Sequence, residues 1–324
     1  MHLCDETETG WQSFLRALVP NDCSREQLMH MAQRCQIELP VCETFGLADD
    51  TLVMAHAART QLYWMTLQKV LLALKDIDVL VIKGPPLSIR IFGRDDFRQS
   101  SDVDLWVHPK DLGRAAAALQ TLGYMPQKVV RPWATNQQLF IPQHPLLLAV
   151  EIHWKLTQPP FLAPDFESAW NMRSTEAWHQ LTFHTLGDTH CWLGLIFHAL
   201  QHVWAIKPWL DLAAADTLSV NPSVIRQYGL CRIDRLVRDV VRGNASYQAA
   251  CLRAVLRHLL LSDEGGKLVM GMDSSAEAAL GMVSRSLSVF MLDGMRYPIK
   301  SFAFYVFLAC DIIKHKLNGM LLIK

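Results

Sequence analysis

A chain of 324 residues is longer than one simple compact layer needs, and its 51% hydrophobic and 19% charged residues exclude a disordered polymer. The 31 basic and 31 acidic residues cancel at a pI of about 7.2, so no global field draws the chain to nucleic acid or an anionic membrane, although a local basic pocket is compatible with these totals. The eight cysteines include no C-x-x-C pair, a scatter that fits a reducing cytosol and buried small side chains rather than a disulfide framework or zinc ribbon.

The opening MHLCDETETGWQSF is acidic where an export signal is basic and then apolar, so a cytoplasmic chain is expected. Leu15, Leu18, Leu28, Met31 and Ala32, then Leu52, Ala55, Ala58, Leu62, Met65 and Leu72, recur mostly at helical spacing. They predict an N-terminal helical region over 1–75, its last helix capped by Asp49 or Asp50 and running into Leu74. The pattern then changes. Asp78-Val79-Leu80-Val81-Ile82 reads as a buried strand stopped by Lys83-Gly84-Pro85-Pro86, with Pro86 suited to open a helix.

Val103, Leu105 and Val107 alternate with Asp102, Asp104 and Trp106, the period of two that a strand with unlike faces requires. An Ala-rich helix is expected over 111–122, closed by Gly123. A strand pair follows around 128–130 and 138–142, then an apolar strand over 146–154 that carries Glu151. Beyond Asp165 the pattern is mostly helical. The division is therefore an N-terminal helical region over 1–75, a core over 76–160 and a C-terminal helical region over 161–324. The most apolar late stretch, 302–313, is broken by Asp311 and is shorter than the roughly 20 residues of a membrane span, so no transmembrane segment is expected.

Asp102 and Asp104 on one strand project from the same face with Cα atoms about 6.5 Å apart. Two bare carboxylates there repel one another, and burying them beside apolar neighbours is costly unless a cation joins them. Mg²⁺ takes oxygen ligands and keeps sites for waters and substrate phosphates, which leaves room for a nucleoside triphosphate. Glu151 is the best candidate for a third carboxylate, since a lone Glu is out of place in Leu146-Leu147-Leu148-Ala149-Val150-Glu151-Ile152-His153-Trp154. Solvated acids at a strand edge are the alternative, because D-x-D alone is common. His153 falls on the same strand face as Glu151 and can orient that carboxylate, bind phosphate or simply sit satisfied in the core.

The ordered set is more specific than any part. Lys83-Gly84 after a strand, Arg98 and Ser101 before Asp102-Val103-Asp104, and Glu151-Ile152-His153-Trp154 on a later strand are similar to the nucleotidyltransferase superfamily typified by DNA polymerase β. More narrowly, they resemble the bacterial nucleotidyltransferase family 5 over about 62–211. The resemblance implies an α+β fold, a polymerase β-like core of a small mixed sheet with helices, flanked by N-terminal and C-terminal helical regions. It also implies that Asp102, Asp104 and Glu151 hold Mg²⁺ or Mn²⁺ and that Gly84 lets the backbone approach a triphosphate. Lys83 and Arg98 then offset phosphate charge and Ser101 donates a hydrogen bond; the alternatives are a Gly84 that serves only its turn, a solvated strand-end Lys83, an Arg98 paired with Asp95 or Asp96 and a plain loop Ser101. Pro85 departs from the superfamily, which often has Ser after the turn glycine, so the phosphate cradle has fewer backbone donors.

His198 and His202 lie four apart, as a zinc pair would on a helix, but Ala199 stands where a metalloprotease has Glu. The resembling family points instead to a helix packed beside the active cleft, with His198, His202 and Asp211 available to substrate or to Glu151; histidines bonded between packed helices are the structural alternative. The late basic residues Arg296, Lys300, Lys314, Lys316 and Lys324, interleaved with Phe302, Phe304, Tyr305 and Phe307, read as a solvated helical face.

The expected activity is transfer of a nucleoside monophosphate from an NTP to a hydroxyl or phosphate acceptor, a small molecule, sugar, peptide or protein, with release of pyrophosphate. Neutral charge weighs against a long nucleic acid. A non-catalytic nucleotide-binding or interaction module of the same fold, and a metal-dependent phosphohydrolase, are the competing readings.

Overall fold

The computed structural model describes residues 8–47, 49–128, 135–157, 164–202 and 205–244, with 246, 249, 250, 252, 253 and 256 beyond them. The late basic and aromatic series, the 302–313 stretch and the 129–130 part of one expected strand lie outside the described residues.

Four helices come first: α1 (Gly10–Leu18), α2 (Arg25–Cys35), α3 (Glu38–Phe45) and α4 (Asp50–Ala73). Asp49 caps α4 by accepting from the Leu52 amide at 2.9 Å, as its place before the apolar stripe predicts. Then follow β1 (Val79–Val81), α5 (Pro85–Phe92), β2 (Asp102–Val107), α6 (Leu112–Thr121), β3 (Tyr124–Pro126), β4 (Gln137–Pro142) and β5 (Ala149–His153). The described chain continues through α7 (Phe166–Asn171), β6 (Ser174–Trp178), β7 (Leu181–Thr185), α8 (Asp188–Gln201), α9 (Ile206–Ala214), α10 (Pro222–Gln227) and α11 (Cys231–Val241). The fold is α+β, with a seven-stranded mixed sheet in the order β3-β4-β5-β2-β1-β7-β6. The β2–β5 and β1–β7 pairs are parallel and the others antiparallel.

The two faces of the sheet enter two cores, and the period of two in β2 decides which side chain goes where. Val103, Leu105 and Val107 pack with Trp64 and Leu67 of α4 and Leu119 of α6. Trp106 turns the other way, into a core shared with Leu80, Ile82, Leu87 and the helices α1, α8 and α9. Both faces are thus covered, and burying one such apolar side chain contributes roughly 1.5–3 kcal/mol. Asp102 and Asp104 lie on the Trp106 side of the strand, where the helices meet the sheet.

Three details differ from expectation. The strand before β4 is Tyr124–Pro126, and Gln127 and Lys128 are irregular, because the turn at Gly123 (φ +84°) feeds the strand at once. The largely helical pattern past Asp165 is interrupted by the β6–β7 hairpin, which extends the sheet beyond the expected 76–160 core. It is held by Trp178 stacked on Trp64 at 4.4 Å. The N-terminal and C-terminal helices also share one core: Trp11, Leu15, Trp209, Leu212 and Val240 belong to a single buried cluster. Among the described residues no helix is long and apolar enough to cross a membrane.

Candidate active site

In the parallel β2–β5 pair, Asp104 stands opposite Glu151 and Trp106 opposite His153. Period-two projection puts Asp102, Asp104, Glu151 and His153 on one face. The Nε2 of His153 lies 3.0 Å from Asp104 Oδ1 and 3.2 Å from Glu151 Oε2. Lys83, just past β1, brings its Nζ to 3.3 Å from the same Asp104 oxygen. Asp104, Glu151 and His153 offer ligand atoms that all lie within 4.8 Å of one another, a grouping that can hold a metal ion. Asp102 stands at the outer end of the strand, where the hydroxyls of Ser100 and Ser101 donate to its Oδ1 at 3.4 and 3.3 Å.

The electrostatics of Asp104, Asp102 and His153 differ. Burial works against the Asp104 charge, yet Lys83, the His153 hydrogen bond and Arg98 hold its carboxyl well below the usual carboxylate range. At Asp102, burial and then the like charges of Asp104 and Glu151 outweigh Lys83 and the Ser101 hydrogen bond and push its carboxyl up. Burial pulls His153 down, but its hydrogen bonds to Asp104 and Glu151 outweigh this and raise it. Asp104 and Glu151 thus converge with His153, Lys83 touches Asp104, and the donors are hard oxygens plus one imidazole, with Asp102 on the same strand face but outside this grouping. That set fits a hard divalent cation, which would relieve the repulsion at Asp102.

Gly84 links β1 to α5 at φ +79°, and a Cβ there would lie 2.6 Å from the Tyr63 ring, so both backbone and packing demand glycine. Tyr63 donates from its hydroxyl to the Lys83 carbonyl at 3.2 Å, fixing the turn from below. Pro85 rather than Pro86 is the first residue of α5, where its missing N–H costs nothing.

Arg98 does not pair with its sequence neighbours. Asp95 takes the Trp64 indole and Asp96 takes Arg94, while the Arg98 Nε donates to Asp211 of α9 at 2.9 Å, in a pair whose side chains are 5% and 2% exposed. Asp211 therefore serves Arg98. Arg98 and Lys83 line a cavity of about 190 Å³ that also reaches Glu151 and His153, with His198 and His202 on its far wall. The two histidine rings lie 4.9 Å apart. Burial, then Lys83, His202 and Arg98, depress His198 well below the ordinary histidine value, so it is neutral.

The family model described as "Uncharacterised nucleotidyltransferase" matches residues 26–221, more than half of the chain. The chain belongs to this family. No curated protein matches it. Among solved structures it is similar to the antibiotic-resistance factor ANT(2'')-Ia, whose solution structure was described for its substrate-regulated conformation dynamics. The two are 13% identical, with 61% of this chain and 91% of that chain covered at a TM-score of 0.33.

For this nucleotidyltransferase, the structure gathers Asp104, Glu151, His153 and Lys83 by direct contact, places Asp102 and Ser101 beside them, and puts Arg98 and His198 on the adjoining cavity. Two participants escaped the sequence reading, and a third was read in another role. Gln137 of β4 donates to Glu151 Oε1, and only the β4–β5 register reveals that. Lys207, its amine lowered to about 8 by burial and then Arg98, donates to the Gln99 carbonyl at 2.6 Å and ties down the segment leading to Ser100 and Asp102. Asp211 stood out in the sequence, but not as the partner of Arg98.

Proposed function

We propose that the chain is a metal-dependent nucleotidyltransferase that moves a nucleoside monophosphate from an NTP to a hydroxyl or phosphate acceptor and releases pyrophosphate. The observation that carries this reading is the cross-strand pair of Asp104 and Glu151, with Asp102 on the same face and a cavity opening beside them. Asp102, Asp104 and Glu151 would hold Mg²⁺ or Mn²⁺, with His153 bridging two of them. When bound, these ions supply Lewis-acid stabilisation of the phosphoryl oxygens and of the leaving group.

The chain's own groups do the rest. Lys83 and Arg98 set positive charge where the triphosphate lies, Arg98 from a guanidinium locked by Asp211. Gly84 keeps the turn free of a side chain, and Ser101 orients Asp102. Glu151 faces the cavity and takes the acceptor proton. The gathering of Asp104, Glu151, His153 and Lys83 beside one cavity favours this reading over a non-catalytic module, which gains nothing from taking so many ionisable groups out of water.

The test is incubation with each α-labelled nucleoside triphosphate, Mg²⁺ or Mn²⁺ and cell extract. Label should enter an acceptor and fall at least a hundredfold with Asp102→Asn or Asp104→Asn, as removal of a group that stabilises the transition state predicts (about 10²-fold or more). Full activity in both variants would sink the mechanism.

A further inference from the structure

The far wall of the active cavity is one stripe of α8. Cys191, Gly194, Leu195, His198 and His202 recur at helical spacing and all line it, with Leu87, Leu156 and Leu186 completing an apolar side. Gly194 is the odd member. It lies inside a 14-residue helix, where glycine is the least favourable residue after proline. A Cβ there would meet Leu156 at 3.5 and 3.6 Å and Leu186 at 3.7 Å, ordinary contact distances, so packing does not demand glycine. What its missing side chain leaves is space in the cavity.

The α8 stripe carries no acid, lysine or arginine, while Lys83 and Arg98, given above to the triphosphate, line another part of the cavity. Lys83 is paired with Asp104 and Arg98 with Asp211. Glu151 is the one acid among the described lining residues, and the proposed reaction uses it. Asn136, 2% exposed, donates to the Lys155 carbonyl but leaves its buried Oδ1 without a partner among the described residues, as does the Nδ1 of His198. Buried polar atoms without partners are rare and costly, and a hydroxyl in the cavity is the kind of group that satisfies one. A space of about 190 Å³ suits a molecule of one ring, since an apolar cavity of about 150 Å³ holds benzene.

We propose that the part of this cavity beside α8 is the acceptor pocket, the part at Lys83 and Arg98 being left to the triphosphate, that it takes a small, uncharged, partly apolar alcohol, and that Gly194 and Asn136 set this specificity. The proposal rests on the nucleotidyl transfer reading above. In the step it implies, the alcohol oxygen forms a bond to the α-phosphorus while the bond from that phosphorus to the bridging oxygen breaks. Pyrophosphate leaves with the electron pair, and the alcohol proton, held in the bound state by Asn136 Oδ1, passes to the Glu151 carboxylate as the bond to phosphorus forms.

Three probes with one ring and different charge test it on the full chain: benzyl alcohol, benzylamine and benzoate, followed by ligand-observed NMR. Benzyl alcohol should bind at least tenfold more tightly than the other two, and should lower incorporation of nucleotide label into the acceptor of a cell extract. Gly194→Leu should abolish its binding and Asn136→Leu should weaken it about tenfold. Gly194→Ala should weaken binding while raising the melting temperature, which shows that the loss is not unfolding. Equal binding of the three probes, or benzyl alcohol binding unchanged in Gly194→Leu and Gly194→Ala, would overturn the pocket. Selective benzyl alcohol binding with no label transferred from any triphosphate would instead leave the pocket standing and remove the transfer reading.

Discussion

Arg98 enters the site as half of a buried ion pair, and this makes Asp211 as consequential as the residues that face the cavity. Two charges taken from water are tolerated because each satisfies the other, so removing one strands its partner. Asp211→Ala should lower stability by about 3–5 kcal/mol, read as a shift of the urea midpoint. Arg98→Met with Asp211→Leu should recover most of that loss while nucleotide affinity stays low; a double variant as unstable as Asp211→Ala would show that the pair is not the cause. This partnership was not legible in the sequence. Arg98 and Asp211 are separated by 113 positions, and no local spacing encodes the contact. Asp102 and Asp104 were legible because a period of two is local, and Glu151 because a charge in an apolar run stands out.

At the scale of elements, the strand, turn and helix from β1 to α5 hold the site together. Gly84 can occupy its left-handed conformation only without a side chain, and Tyr63 closes the space where one would go. Gly84→Ala should cost about 1–3 kcal/mol in thermal melting. In a Tyr63→Ala background the cost should shrink by about 0.5 kcal/mol or more, since contacting residues couple. Additive effects would mean that the backbone conformation alone demands glycine. The strands β1, β2 and β5 follow the patterns of their residues, whereas α4 buries His56, Thr60, Tyr63, Trp64, Leu67 and Val70 and leaves Ala55, Ala58, Met65 and Leu72 of the expected stripe exposed. The β6–β7 hairpin escaped because its turn is His179-Gln180, with His179 at φ +52°, and carries none of the glycine or asparagine that marks most such turns. The hairpin is instead held by the Trp64–Trp178 stack, a contact across more than a hundred residues.

Across the whole molecule, the sheet separates two cores and the charged cluster sits where one of them is interrupted. The helices α1, α8, α9 and α11 form that core together, so the two ends of the described chain close over the strand face that carries the carboxylates. Sequence patterning read helices before and after the central strands and left their common packing unseen, because amphipathic stripes state that a face is buried without stating against what. The family match over residues 26–221 spans α2 to α9 and includes every residue of the candidate site. The claim that joins these scales is that phosphorus is transferred as a nucleoside monophosphate, and the fate of each phosphate of the NTP tests it most directly. With cell extract and Mg²⁺ or Mn²⁺, α-labelled triphosphate should leave its label on an acceptor while γ-labelled triphosphate releases its label as pyrophosphate, and both signals should vanish in Asp104→Asn. Label from the γ-position on the acceptor, or release of orthophosphate in place of pyrophosphate, would contradict the account.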